Sequence, residues 1–279
     1  MIQETKNKYI QLVDGRKLGY AEYGITSGKP VLFFHGTPGS SRLHPDLAKI
    51  AAQNDVRLIA VDRPGYGLSD SQAKRTFLSF ADDINALTHF LGVKKFSIIG
   101  FSGGSPYPLA CAYKLPARVN KIALVASIVP GVTDGLPPMV YGLYALAQTN
   151  PDELRITFAA AAPSASILLN VVSSTANNWD KKLLLERAAE FELEYEHTLK
   201  NGIEGIVSDF ILNSGILGFP INECNTEVHL YSGSLDQNTP PAMTHYLATQ
   251  LPNSHVHAFQ DEGHFILYPH WDDILKQVK

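Results

Sequence analysis

The sequence predicts an α/β fold in which a mostly parallel central sheet carries helices on both faces. Short apolar runs alternate with helical patterns along the first half of the 279-residue chain. These runs are apolar throughout, as is typical of strands that are covered on both faces in a parallel sheet. The strand pattern then disappears over residues 131–220, which predicts a helical block inserted into the α/β core.

The elements of the first half follow in order. Segment 9–23 carries Asp14-Gly15 between two strand-like runs, which predicts a hairpin at the sheet edge. Residues 41–54 have a helical pattern. Apolar runs predict buried strands at 31–34, 56–61, 96–99 and 122–126.

A second helix is predicted between the strands at 56–61 and 96–99. Ser79 and Asp82 resemble a capping box at its beginning, and Gly92 occupies a typical position just after its end. Its apolar side chains are spaced by four, three and four residues: Phe80, Ile84, Leu87 and Leu91.

The second half begins with the helical block and then returns to the α/β pattern. We expect a helix opened by Thr239 and two prolines, and a last helix over 265–278. Strands are predicted at 227–231 and 256–259. One continuous helical stripe is predicted within the block from Leu184, Ala188, Phe191, Tyr195 and Leu199. We therefore assign residues 1–130 and 221–279 to the core, and residues 131–220 to a helical cap.

Composition excludes several classes of function. The formal net charge of −4 and the sequence pI of about 6.2 give no basic surface for nucleic acid or an anionic membrane. Residues 1–10 are polar and lack the apolar run of a signal peptide, and no stretch reaches about 20 uninterrupted apolar residues. Cys111 and Cys224 lie far apart, which predicts two reduced thiols and a cytoplasmic protein.

The strongest local motif is G-x-S-x-G, formed by Gly100, Ser102 and Gly104 between a predicted strand and a predicted helix. A nucleophile in such a turn is held in a strained backbone conformation, and the chain on its two sides comes close together. Residues two before and two after must then be small, and glycine meets that need. The N–H of Gly103 is placed to bind an oxyanion.

With this motif, the chain resembles the α/β-hydrolases over nearly its whole length. Residues 35–39 (HGTPG) are similar to the oxyanion loop of that family, and residues 62–69 (DRPGYGLS) are similar to its D-x-P-G-x-G-x-S segment. The elbow at 100–104 and an inserted cap follow in the order typical of the family. The resemblance implies an α/β-hydrolase fold with a serine nucleophile, and a second oxyanion N–H from Thr37.

A serine hydroxyl needs a base to take its proton, and the base needs an orienting acid. The chain order of the family is serine, carboxylate, histidine. Asp236 and His264 fit this order, and each follows a predicted strand, at the sheet edge where sites form. We therefore predict a triad of Ser102, Asp236 and His264. Asp134 is a rival acid, and Asp236 also has an alternative interpretation as a helix cap.

No cofactor and no metal are expected. His255 and His257 alternate on one predicted strand and face the same way, but no third ligand follows at a suitable spacing. His35 is expected to shape the oxyanion loop rather than to titrate during catalysis.

The predicted cap is rich in apolar side chains, most of which we expect to pack the cap on the core. Some would line a pocket over Ser102, which favours a small or medium apolar acyl substrate. The candidates are Met139, Val140, Tyr141, Leu143, Tyr144, Leu146, Phe158, Ile167, Leu168 and Leu169.

Segment 186–196 carries five glutamates: Glu186, Glu190, Glu192, Glu194 and Glu196. Proline iminopeptidases, which resemble this chain at the oxyanion loop, bind a substrate amine with cap carboxylates. We favour a solvated face for the five, and Thr37 stands where the peptidase pattern has glycine.

The leading interpretation is a serine esterase that acts through an acyl-enzyme on a small molecule. Cleavage of amides, lactones or carbon–carbon bonds by the same triad stays open. A non-catalytic ligand receptor on the same fold is the second class of function.

Overall fold

In a computed structural model, which describes residues 8–279, eight strands form one sheet in the order β1-β2-β4-β3-β5-β6-β7-β8. Residues 1–7 belong to the polar segment that was predicted not to be a signal peptide, and they lie outside the described residues. Strands β1 to β8 are Lys8–Gln11, Lys17–Gly24, Lys29–Phe34, Val56–Val61, Phe96–Phe101, Val119–Val125, Glu227–Gly233 and Ser254–Phe259.

The predicted edge hairpin is confirmed. β1 pairs antiparallel with β2, and β2 pairs antiparallel with β4. Gly15 supplies the turn with a φ of +89°, a conformation that glycine adopts without steric cost. The pairs from β4 through β3 to β8 are all parallel, so their carboxyl ends meet at one edge of the sheet.

Helices cover both faces of the sheet, and alternate residues of β3 show the two cores. Val31 and Phe33 belong to one buried cluster with helices α1 and α11, whereas Leu32 and Phe34 belong to another with α2, α3 and α10. These five helices are Pro45–Gln53 (α1), Phe77–Phe90 (α2), Pro106–Lys114 (α3), Pro241–Gln250 (α10) and Trp271–Val278 (α11).

Several predicted helix starts were wrong. Helix α2 is capped by Thr76, whose side chain accepts from the N–H of Ser79 at 3.0 Å, so Ser79 lies inside the helix. Helix α1 begins only at Pro45, because proline fits the first turn. Helix α11 begins at Trp271 instead of residue 265, since residues 265–270 form turns.

Six helices lie between β6 and β7: Pro138–Thr149 (α4), Pro151–Ala161 (α5), Ala165–Thr175 (α6), Asn178–Glu186 (α7), Ala188–Thr198 (α8) and Glu204–Ser214 (α9). The prediction of one continuous helical stripe from Leu184 to Leu199 was wrong, because one helix ends and the next begins at Arg187, between α7 and α8. Leu184 and Phe191 still pack in the same buried cluster.

Within residues 8–279, no single helix is long and apolar enough to cross a membrane. One pair, α5 with α6, passes by length and composition but is bent by 104°. Cys111 and Cys224 are both buried and unbridged.

Candidate active site

The turn between β5 and α3 carries Ser102 at the carboxyl edge of the sheet. Its φ is +51°, a left-handed conformation that is strained for a residue with a side chain. A Cβ at Gly100 would lie 2.7 Å from the Pro108 ring, and one at Gly104 would collide with the backbone carbonyls of Phe34 and His35. The two glycines therefore allow the close approach that this elbow requires.

Ser102, His264 and Asp236 meet at this edge although they are far apart in the chain. The His264 Nε2 lies 3.0 Å from the Ser102 Oγ, and its Nδ1 lies 2.9 Å from the Asp236 Oδ2. All three residues are buried, and Ser102 retains 7% exposure. The arrangement allows His264 to accept the serine proton while Asp236 fixes the orientation of the ring.

The loop after β7 holds the carboxylate of Asp236 in place. Its Oδ1 accepts from the backbone N–H groups of Asn238 at 2.8 Å and Thr239 at 2.9 Å, and its Oδ2 accepts from the Thr239 hydroxyl at 2.6 Å. Thr239 was predicted to cap α10, but Pro240 holds that position and Thr239 supports the acid instead. Asp236 therefore accepts hydrogen bonds from its own loop and also contacts the His264 ring.

The rival acid Asp134, and the two acids Asp261 and Glu262 on the loop before His264, all lie away from the His264 ring. Asp134 is exposed in the loop after β6. The carboxylate of Glu262 bonds to His270 at 2.8 Å, and Asp261 accepts from Gln260. Among these candidates, only Asp236 has a carboxylate within hydrogen-bond distance of the His264 ring.

The loop 35–39 packs against the elbow. A Cβ at Gly103 would collide with the Thr37 hydroxyl and lie 3.4 Å from the Thr37 backbone nitrogen, so the two backbones are neighbours. Gly103 also lies in the short 3₁₀ helix Ser102–Gly104, where N–H groups lack partners within the helix. The backbones of Thr37 and Gly103 are therefore close neighbours beside Ser102.

His35 shapes this loop, as predicted. Its Nδ1 lies 2.8 Å from the Gly36 carbonyl, and its Nε2 accepts from the backbone N–H of Arg63 at 3.2 Å. Burial, and secondly the charge of Arg63, lowers the pKa of His35 to about 3. The ring is therefore neutral at pH 7 and acts as a fixed hydrogen-bonding link.

Asp209, on α9, was not anticipated from the sequence, and its fully buried carboxylate joins the helical segment to the oxyanion loop. It pairs with the guanidinium groups of Arg63 and Arg75. Three hydroxyl groups also donate to it, those of Thr37 at 2.5 Å, Tyr66 at 2.7 Å and Tyr107 at 2.9 Å.

The carboxylate of Asp209 is ionised in this setting. Burial alone would raise its pKa, but the charges of Arg63 and Arg75 hold the pKa below its usual value. The anion therefore pairs with two buried cations and bonds to the side chain of Thr37.

A second unanticipated carboxylate, Asp180 on α7, holds the histidine loop. Its two oxygens accept from the backbone N–H groups of His264 at 3.0 Å and Phe265 at 2.9 Å. A Cβ at Gly263 would lie 2.5 Å from Asp180, so glycine is needed for this approach. The position of His264 therefore depends on the helical segment.

The glutamates of segment 186–196 do not share one environment. Glu186, Glu192 and Glu196 are exposed, as expected of a solvated face. The prediction was wrong for Glu194, which is buried. It accepts from the Ser40 N–H at 3.2 Å and lies 3.4 Å from His44 Nε2.

A cavity of about 180 Å³ lies over Ser102 between the core and the helical segment. Six of the predicted apolar candidates line it, more than expected: Met139, Val140, Leu143, Tyr144, Phe158 and Leu168. Leu146 and Leu169 pack in the cores, while Tyr141 and Ile167 are more exposed. His264 is the one ionisable acid or base among the described lining residues other than tyrosine.

Burial alone would lower the pKa of His264, but the Asp236 carboxylate outweighs burial and raises that pKa above 6.5.

His255 and His257, which the sequence did not favour as metal ligands, both stack on His229. Within residues 8–279, no group of three or more His, Cys, Asp or Glu residues is arranged to hold a metal ion.

The chain is similar to known proteins in both sequence and fold. A family model for the α/β-hydrolase fold matches residues 29–270. A proline iminopeptidase of Neisseria gonorrhoeae is 30% identical over 125 residues, which are 44% of this chain and 40% of the relative. The chain spans between 39% and 52% of the length of this and two other curated relatives that it matches.

Two further similarities extend over nearly the whole chain. A 2-hydroxy-6-oxononadienedioate/2-hydroxy-6-oxononatrienedioate hydrolase of Paraburkholderia phymatum is 25% identical over 279 residues, covering 96% of this chain and 92% of the relative. The structure of an esterase from Exiguobacterium antarcticum superposes with a TM-score of 0.74 at 20% identity, covering 98% and 97% of the two chains. The second likeness concerns the fold alone.

Proposed function

The chain belongs to the α/β-hydrolase fold family, and from this premise we propose that it is a serine hydrolase that cleaves neutral apolar esters. The observation that carries the proposal is the continuous hydrogen-bonded line from Ser102 through His264 to Asp236 at the floor of an apolar cavity. We also propose that residues 131–220 act as a cap over the core.

In the proposed reaction, Ser102 attacks the ester carbonyl and His264 takes the serine proton. Asp236 stabilises the imidazolium, and the N–H groups of Thr37 and Gly103 bind the oxyanion. His264 then returns the proton to the alcohol oxygen as the bond between this oxygen and the carbonyl carbon breaks. The acyl group stays on Ser102. Water, activated by His264, then releases the acid.

The charge distribution of the cavity favours a neutral substrate. Among the described lining residues there is no aspartate, glutamate, lysine or arginine to pair with a substrate charge. The names of two relatives indicate other chemistry. One name refers to dienedioates, which carry two carboxylates, and the other refers to a peptidase that acts at proline. Glu194 does not line this cavity, and its carboxylate is engaged by Ser40 and His44.

We expect 4-nitrophenyl pentanoate to be hydrolysed with a kcat/KM at least about 100-fold above that of the mono-4-nitrophenyl ester of glutaric acid. The two acyl chains have the same number of carbons, but the second would bring an unpaired carboxylate into the cavity. Burying an unpaired charge costs several kcal/mol, and each 1.36 kcal/mol is about tenfold in rate. Initial rates of nitrophenolate release measure the ratio.

Prolyl 4-nitroanilide is the third substrate of this comparison, and we expect its cleavage to be much slower than that of the neutral ester. The Ser102→Ala variant gives the background rate for each compound. Equal rates on the neutral and charged esters, or preferred cleavage of the prolyl compound, would contradict the proposed substrate class.

The rate should fall in acid through the titration of His264. Its raised pKa means that the ring is protonated, and unable to accept the serine proton, at pH values well below 6.5. We expect kcat/KM to rise with pH along a limb whose apparent pKa lies above 6.5. Circular dichroism over the same pH range separates this titration from unfolding, and a limb centred near pH 4 would point to a carboxylate base instead.

A further inference from the structure

Asn213 lies in the wall of the cavity over Ser102, on the last turns of α9. Ile206, Phe210 and Asn213 follow one another at spacings of four and three residues, and all three line the cavity. The backbone carbonyl of Asn213 accepts from the Gly131 N–H at 3.3 Å, which ties this end of α9 to the loop after β6. Asn213 is therefore held in the cavity wall by a fixed backbone.

The side chain of Asn213 is only 2% exposed, and its Oδ1 has no hydrogen-bond partner. A buried polar atom without a partner is unfavourable, and such groups in native proteins call for an explanation. Two other polar side chains of the cavity wall are already paired: Thr239 donates to Asp236, and the Thr175 hydroxyl bonds to the Val172 carbonyl of its own helix. Asn213 thus offers hydrogen-bonding capacity that the protein itself does not use.

We propose that Asn213 is a substrate-recognition residue, and that the preferred substrate is an apolar ester carrying one additional hydroxyl group, which donates to the Asn213 Oδ1. The oxygen of a carboxamide accepts hydrogen bonds, so it matches a hydroxyl donor, and it supplies no charge that would select an ion. This inference rests on the proposed function, because it places the ester carbonyl of the same molecule at Ser102.

The test compares 4-nitrophenyl pentanoate with its congener that carries a 3-hydroxyl group on the acyl chain. Each is assayed with the unmodified protein and with Asn213→Leu, which has a similar size but no hydrogen-bonding group. Dividing the preference of one protein by that of the other removes the intrinsic reactivity of each ester. Thr175→Val is the matched control, since it removes a cavity-lining hydroxyl that is already paired.

We expect the unmodified protein to prefer the 3-hydroxy chain by at least about tenfold, because a site that bonds a substrate hydroxyl discriminates against an analogue lacking it. Asn213→Leu should lose this preference while still hydrolysing the plain chain, and Thr175→Val should keep it. Asn213→Leu should melt no lower than the unmodified protein, since it removes an unpaired polar atom. Asn213→Ala serves if the leucine variant does not fold.

An equal preference in the unmodified protein and in the Asn213 variants would overturn the inference while leaving the esterase intact. If no ester is turned over above the Ser102→Ala background, the proposed function fails and the inference is decided by binding. Calorimetry with the amide analogues of the plain and 3-hydroxy chains, on Ser102→Ala, then asks whether the 3-hydroxy amide binds more tightly and whether Asn213→Leu abolishes the difference. Equal binding, or no binding at all, overturns the inference.

Discussion

Replacing Ser102 by alanine is expected to lower kcat/KM for ester hydrolysis by at least about 10⁴-fold, with little change in melting temperature. The substitution removes the nucleophile, while the N–H groups of Thr37 and Gly103 remain to give a small residual rate. The serine hydroxyl bonds to the His264 ring, so its loss leaves the packing of the elbow glycines unchanged. Steady-state kinetics and a thermal melt on the same preparation measure both quantities.

Ser97→Ala is the matched control for this experiment. Ser97 is a buried serine of β5, the strand that ends just before Ser102, and its hydroxyl bonds to the Val278 carbonyl at 2.6 Å near the other end of that strand. We expect that variant to retain turnover. The double variant Ser102→Ala/His264→Ala should be no slower than Ser102→Ala alone, because the two groups act as one unit. Undiminished turnover by Ser102→Ala would remove Ser102 from the mechanism.

Replacing Asp209 by asparagine is expected to reduce the free energy of unfolding by about 3–5 kcal/mol. The carboxylate pairs with Arg63 and Arg75, both of which are buried, and an amide cannot replace its charge. Breaking a buried ion pair by removing one partner leaves the other charge uncompensated, which is why the expected effect is large. Urea unfolding monitored by tryptophan fluorescence measures it.

The same variant should lower kcat for ester hydrolysis in the fraction that folds, since Thr37 loses the group that fixes its hydroxyl. Glu204→Gln is the control, because Glu204 lies on the same helix in a partly exposed ion pair with Arg155. We expect this change to be about 1 kcal/mol or less. If the two variants unfold at the same urea concentration, the buried network does not stabilise the fold as argued.

The core strands were predictable because burial on both faces leaves a local signal. Residues 56–61 are apolar apart from Arg57, and β4 has the predicted bounds. The elbow was predictable for the same reason, since the glycines at 100 and 104 are required by backbone contacts within a few residues or with the adjacent strand. Asp236 and His264 each follow one of two successive strands, and this order predicted that both lie at one edge of the sheet.

The carboxylates of the helical segment were not predictable in this way. Asp180 and Asp209 satisfy groups 84 and 146 residues away in the chain, and the charge of one residue says nothing of a partner at that distance. Glu194 was assigned to a solvated face because acidic residues in a helix are usually exposed. One signal was present for Asp209: it is flanked by Ile206, Val207, Phe210 and Ile211, and an acid in so apolar a run is buried and paired.

Helix ends depended on competing polar groups. Ser79 and Thr76 are both suitable caps, and the structure uses Thr76 with Ser79 as its reciprocal partner. Thr239 had a better partner than the helix that follows it, the carboxylate of Asp236. Such choices are decided by tertiary contacts rather than by the local sequence.

The most direct test of the account is to trap the reaction of 4-nitrophenyl pentanoate in acid within milliseconds and to weigh the intact protein. We predict a population heavier by one pentanoyl group, whose peptide map places the acyl group on Ser102, and no such species in Ser102→Ala. Steady turnover without an acyl adduct, or an adduct carried by another residue, would contradict covalent catalysis by this serine.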